Sequence, residues 1–262
     1  MNIRIRVLET NTLPSVIHGN GNSKSKNSVY DTMLTDQLSK KIIPDNFDDY
    51  TFISWKGGNN ASATTILELS GRQYGFNVLN LKWAPGTGFW KDSQQKITRT
   101  LEAINNGTIN TEYVFWLDNS DVFFIDSPRI VAERCITEYS GYDFVWNAER
   151  NNYPTPLHGK WNGSTVSKKV ENLLNDVIEY DNTFSVSSRY MNSGASFGKT
   201  TALYDMLVYA NSLIGDSRLN DQALMRIAQH QMRDRIAVDR NSSIFMCCWG
   251  IDNDSTSVAW SV

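Results

Sequence analysis

Tyr113-Val114-Phe115-Trp116-Leu117-Asp118-Asn119-Ser120-Asp121-Val122-Phe123-Phe124 is the stretch whose reading decides the fold. Its apolar run from Tyr113 to Leu117 does not alternate, so it reads as a strand covered on both faces at the centre of a largely parallel α/β sheet. The run stops at two carboxylates three positions apart, and a second apolar run follows at once. In open α/β sheets ligands bind beyond the carboxyl ends of the strands, which is where Asp118 and Asp121 fall. A turn there can aim both carboxylates at one hard divalent cation such as Mn²⁺ or Mg²⁺. The plainer reading is a tight turn whose Asp and Asn side chains cap their own backbone.

Outward from this stretch, the chain reads as alternating strands and helices. Phe47 to Trp55 is a strand, about 61–74 a helix and Phe76–Leu81 a further strand, a βαβ unit of Rossmann type. Ile97, Leu101 and Ile104 give a helical stripe over about Ser93–Asn105. Ser127-Pro128 opens another helix, because Ser caps well and Pro suits the first turn. Phe144-Val145-Trp146 is a second buried strand, running into Asn147-Ala148-Glu149. Residues 151–165 carry Pro154, Pro156, Gly159 and Gly163 and read as a long loop, a plausible lid. Helices follow near 166–180, around Leu203–Ala210, and from Asn220 to about Gln231, then short strands near 236–238 and 244–247. At the front, 3–7 and 13–17 read as short strands. The polar stretch 23–46 reads as a connector with one short helix.

Composition narrows the function classes. At 262 residues, the chain can bury one large α/β core. Its net charge of −3 has no basic footprint, which argues against a nucleic-acid partner. No apolar run is long enough to span a membrane, and the alternating Met1–Arg6 has no signal-peptide core. Only Cys135, Cys247 and Cys248 are present, two of them adjacent, which suits a reducing, cytoplasmic compartment and argues against a zinc site. The many aromatic residues, with 8 Trp and 11 Tyr, fit a site that stacks sugars or bases.

Five features together carry a resemblance. They are Leu117-Asp118-x-x-Asp121, Asn147-Ala148-Glu149, Met191-Asn192-Ser193-Gly194, Asn220-Asp221-Gln222, and Leu13-Pro14-x-Val16-Ile17-His18-Gly19-Asn20-Gly21-x-x-Lys24. The chain resembles the GT-A glycosyltransferase domain of multifunctional procollagen lysyl hydroxylases and its relatives in large viruses and phages. The similarity is patchy and runs from Phe47 to about Cys248 and again over 3–24. It implies a single Rossmann-like domain over 1–262 with a mixed, mostly parallel sheet flanked by helices. In this division 1–26 carries the His-Gly-Asn-Gly loop, 27–46 connects, and 47–262 forms the nucleotide-sugar and acceptor body. In the family that loop closes the domain, whereas here it opens the chain. Circular permutation explains the difference, and the alternative is that 1–26 completes a neighbouring copy.

Carried over by position, the resemblance makes Asp118, Asp121 and His18 the ligands of Mn²⁺, with Mg²⁺ as a substitute. It gives Gly19, Asn20, Gly21 and Lys24 to the diphosphate, and glycine backbone with a lysine suits phosphate physically. Lys96 aligns with a phosphate-contacting lysine, although alone it reads equally as part of a solvated helix face. Ser54, Trp55 and Lys56 stand where the nucleoside base lies. Asn119 and Ser120 belong to the same pocket, and Ser120 replaces a uracil-holding aromatic residue, so that Trp55 takes over the stacking. Asp221, with Gln222 beside it, matches acidic residues essential to transfer, although Asn220-Asp221-Gln222 alone reads as a helix N-cap. Glu149 and Asn192 line the sugar pocket, or are simply a buried polar strand end. The implied activity is transfer of glucose or galactose from a UDP-sugar, with retention, to a glycan, protein or small-molecule acceptor that has no readable motif. Localisation would be cytoplasmic, in the host cell for a phage or viral protein. Two other readings remain. A haloacid-dehalogenase-like phosphatase has its aspartates one residue closer together than here, and an inactive carbohydrate-binding module keeps the tryptophans without needing metal ligands.

Overall fold

The computed structural model describes residues 4–19, 28–56, 64–82, 89–153, 156–157, 160–161, 166–216, 219–248 and 258–261. In chain order these form β1 (Arg4–Val7), β2 (Val16–His18), α1 (Ser28–Ser39), β3 (Tyr50–Lys56), α2 (Ile66–Tyr74), β4 (Val78–Lys82) and α3 (Phe89–Asn105). Then come β5 (Tyr113–Leu117), β6 (Val122–Phe124), α4 (Pro128–Glu138), β7 (Phe144–Glu149), and the small pair β8 (Pro156–Leu157) and β9 (Lys160–Trp161). The rest is α5 (Lys168–Asp181), β10 (Tyr190–Lys199), α6 (Thr200–Ser212), α7 (Asp221–Gln231), β11 (Ile236–Asp239), β12 (Phe245–Cys247) and β13 (Val258–Ser261).

The main sheet runs β11-β7-β10-β5-β3-β4. β11 and β7 are parallel, as are β5, β3 and β4, and β10 alone runs against both of its neighbours. The mixed, mostly parallel sheet is thus observed, within a single α/β domain. Why β5 is apolar without alternation is now visible. Val114 and Trp116 face a core built from α3, α5, α6 and α7, while Phe115 and Leu117 face the core under α2 and α4. All four are fully buried. On the second face Phe76, Phe52 and Phe115 stack in a row, with ring centroids 4.0 and 4.8 Å apart, a geometry that favours aromatic pairs beyond simple area burial.

Local signals set several element ends. Ser127 accepts from the Arg129 N–H ahead of Pro128, and Asn220 accepts from the Ala223 N–H, so the N-cap reading of Asn220 holds. Thr65 and Glu68 form a reciprocal capping box at the start of α2. One expectation needs correction, and one strand is not announced by the sequence. The connector 27–46 contains a twelve-residue helix, α1, rather than a short one, and it buries Tyr30, Met33 and Gln37. The segment around Met191-Gly194, read only as a motif, lies in the ten-residue strand β10. Its alternation is hidden because both faces are covered, and a register shift between Asn192 and Ser196 interrupts the ladder. Part of 151–165 forms the β8–β9 pair; residues 154–155, 158–159 and 162–165 of that loop, like 57–60 and 85–88, lie outside the described residues.

A second sheet, β12-β2-β6, positions the front of the chain. β2 pairs parallel with β12 and antiparallel with β6, so His18 stands opposite Cys247 on one side and Val122 on the other. β12 is itself anchored by Asp239, which is wholly buried at the end of β11. Its carboxylate accepts from the N–H groups of Ser243, Ile244 and Phe245 at 2.8–2.9 Å, and from Ser243 Oγ and Tyr139 Oη. β1 pairs antiparallel with β13, Arg4 opposite Ser261. Arg4 in turn forms an ion pair with Asp126. Among the described residues no helix is long and apolar enough to cross a membrane.

Removing the Asp239 carboxylate strands several buried donors at once. Asp239→Ala is therefore expected to cost about 3 kcal/mol or more in urea unfolding, since each orphaned buried donor costs about 1–3 kcal/mol. All three cysteines are free and buried. Burial, with the nearby Asp121 charge adding to it, pushes the Cys248 thiol up to about 12, and burial likewise raises Cys135. Both thiols stay protonated at pH 8, so iodoacetamide should label them in the native protein no faster than it unfolds.

Candidate metal centre

Three separate parts of the chain converge at the carboxyl end of β5. Asp118 and Asp121 come from the turn between β5 and β6, and His18 from the end of β2. His18 Nε2 lies 3.7 Å from Asp118 Oδ2 and 3.6 Å from Asp121 Oδ1. One ligand atom from each residue falls within 4.8 Å of the others, so the group could hold a metal ion. Backbone hydrogen bonds fix the turn. Asp118 N–H donates to the Gly194 carbonyl at 2.7 Å, Gly19 N–H to the Asp121 carbonyl at 2.8 Å, and Leu67 N–H to the Asn119 carbonyl at 3.2 Å. The Asn119 amide donates to the Trp55 carbonyl, so it ties the turn to β3 rather than capping its own backbone.

The donor set suits a divalent cation. His18 is 2% exposed, and its Nε2 has no hydrogen-bond partner, which is costly for a buried polar nitrogen unless it has another use. Two carboxylates and one imidazole can together hold a divalent cation. The histidine is seated closely. A Cβ built on Gly194 would lie 2.0 Å from His18 Cε1 and 2.5 Å from Nε2. The register shift in β10 thus presents a bare backbone surface to the imidazole, and no larger residue fits there.

Beside the three ligand candidates sits a cation. Lys96, on α3, places Nζ 2.7 Å from Asp118 Oδ1 and 3.3 Å from Asp221 Oδ2, and 5.2 Å from the centroid of the Trp55 ring. Burial opposes its charge most strongly, but the Asp118 and Asp221 carboxylates together outweigh it and hold the amine above its ordinary range. The reading of Lys96 as part of a solvated helix face is therefore set aside. Asp221 occupies the first turn of α7, where the helix dipole favours a negative charge, and Ser193 Oγ lies 3.2 Å from its Oδ2.

A buried polar network extends from there. Gln222 Nε2 donates to Glu149 Oε1 at 2.5 Å and to the Tyr153 carbonyl at 3.2 Å, while its Oε1 accepts from Asn192 Nδ2 at 3.3 Å. Asn192 Oδ1 accepts from the Gly194 N–H at 2.8 Å. Asp221, Gln222, Glu149 and Asn192 thus form one connected wall next to the carboxylates.

Two base-pocket expectations meet a different arrangement. Ser54 is wholly buried and its hydroxyl donates to the Leu117 carbonyl, bracing β3 against β5. Trp55 is 4% exposed, with Lys96 over its ring and Trp116 at 4.2 Å between centroids. It is packed into the core instead of offering an open stacking face. Lys56 is engaged by Glu68. Ser120 is exposed at the turn. Asn20, Gly21 and Lys24 lie outside the described residues.

Sequence reasoning missed three contributors. Gly194 was part of a motif without a reason, Asn147 touches His18, and Arg226 is fully buried on α7. Arg226 donates to the Tyr153 carbonyl at 2.8 Å, Asn152 Oδ1 at 3.0 Å and Asp181 Oδ2 at 3.0 Å. An arginine four residues after Gln222, flanked by Met225 and Ile227, was the available signal. Compared with known proteins, the chain matches no protein-family model and no curated protein sequence.

Gly194→Ala should leave the fold intact by circular dichroism but push His18 aside. Calorimetric titration with Mn²⁺ is expected to show at least a ~10-fold weaker site, as for other losses of ligand support.

Proposed function

We propose that this protein is a metal-dependent GT-A glycosyltransferase that moves a hexose, glucose or galactose, from a UDP-sugar to an acceptor. The observation that carries the reading is the meeting of His18 with Asp118 and Asp121, side chains about a hundred positions apart in sequence, at the end of the central strand. The fit is chemical as well as geometric: a buried imidazole nitrogen without a hydrogen-bond partner faces two carboxylates. Asp118, Asp121 and His18 would hold the cation, and Mn²⁺ or Mg²⁺ there would offset negative charge on a departing diphosphate.

The chain's own groups supply the rest. Lys96 brings a fixed positive charge beside Asp118, where phosphate oxygens would gather. Asp221 is held by Lys96 and Ser193 and stands ready to steady positive charge developing on the sugar ring. The Gln222–Glu149–Asn192 network offers hydroxyl-binding groups whose positions are already fixed, so little ordering remains to be done on binding. The β1–β13 pairing and the seating of His18 beside Asp118 and Asp121 within one chain support the permuted relation to the lysyl hydroxylase domains. Retention of configuration rests on that resemblance alone.

Asp118→Ala is expected to abolish Mn²⁺-stimulated hydrolysis of UDP-glucose and UDP-galactose, followed as UDP release, with a loss of at least ~10³-fold. Full turnover by that variant in the presence of chelator would refute the reading. Tight UDP binding by the wild-type protein without any turnover would instead leave a binding module.

A further inference from the structure

The ring of His18 has a second nitrogen, and what it meets sets what the first can do. Nδ1 lies 3.4 Å from the side-chain amide nitrogen, Nδ2, of Asn147, on β7. Asn147 is wholly buried, and its Oδ1 has no hydrogen-bond partner where it stands. The two ends of an amide are nearly the same size, so half a turn about the Cβ–Cγ bond exchanges them. With the NH₂ end towards the ring, Nδ1 must accept and Nε2 must carry the proton, facing Asp118 and Asp121. With the oxygen end towards the ring, Nδ1–H donates to Oδ1, and the Nε2 lone pair points at the two carboxylates.

We infer that Asn147 is the positioning residue of the metal centre: by accepting from Nδ1–H through Oδ1 it fixes the His18 tautomer whose Nε2 can ligate a cation. The inference rests on the metal reading above. Its support is that one buried side chain can serve either tautomer. The imidazole also meets the bare backbone at Gly194 and, on its Nε2 side, the two carboxylates. Metal-binding histidines are generally held in this way through their second nitrogen. The register of the sheets makes the contact possible, since Asn147 lies opposite Asn192 on β10, just before the shift that brings Gly194 under the ring.

The test compares three proteins in Mn²⁺ calorimetry: Asn147→Leu, which keeps the volume but cannot accept; Asn147→Asp, which always accepts; and His18→Ala. Asn147→Leu should bind Mn²⁺ roughly 10- to 100-fold more weakly, and Asn147→Asp at least as tightly as the wild type. In the Cd²⁺-loaded wild-type protein, ¹⁵N spectra of histidine should show His18 protonated at Nδ1, a signature that needs no activity and no variant. A folded Asn147→Leu that binds as the wild type does, or a His18 protonated at Nε2 in the loaded protein, overturns this inference. If His18→Ala also binds unchanged, it is the metal reading that fails.

Discussion

His18 can face Asp118 and Asp121 only because a three-residue strand is paired on both sides. β2 is too short to hold itself; β12 and β6 fix its height and its rotation, and β6 is the direct continuation of the turn that carries the carboxylates. The ladder that seats the imidazole is therefore continuous with the segment that seats its partners. Asp239 extends that dependence to the edge of the main sheet, because it caps the backbone leading into β12. The site is thus an outcome of how two sheets meet.

Concentrating acids in this corner has an electrostatic cost, and the fold meets it locally. Asp121, Glu149 and Asp221 are each at most 5% exposed. Lys96 is shared between Asp118 and Asp221, Asp221 also sits at a helix N-terminus, and Glu149 receives the Gln222 amide. Buried charges that are paired and hydrogen-bonded in this way are tolerated, while removing one partner leaves the other exposed to the full penalty. The same arithmetic applies to Asp181, which lies between Arg226 and Arg240.

Much of this was legible from residue order. The unbroken apolar run of β5 announces a strand covered on both sides, and Ser127-Pro128 and Asn220 announce their helices, whereas the pairing of His18 with Asp118 and Asp121 follows only from the family resemblance, since His18 alone reads as a loop histidine. What was illegible follows from physics that pattern does not record. β10 carries Asn192, Ser193, Gly194 and Ser196 inside a fully covered strand, so neither alternation nor an apolar run betrays it. The engagement of Ser54 and Trp55 by the core depends on which neighbours fill the space around them, and that is a tertiary fact. The length of α1 is masked by a polar sequence in which Tyr30, Met33 and Gln37 are buried and Leu34 packs partly against the same core.

The Tyr153 carbonyl accepts from both Gln222 and Arg226, one helical turn apart on α7. Chain leaving β7 therefore departs from a pinned point on a fixed heading. An insertion after Tyr153 should therefore leave Glu149 in place, because both donors to that carbonyl sit on one helix.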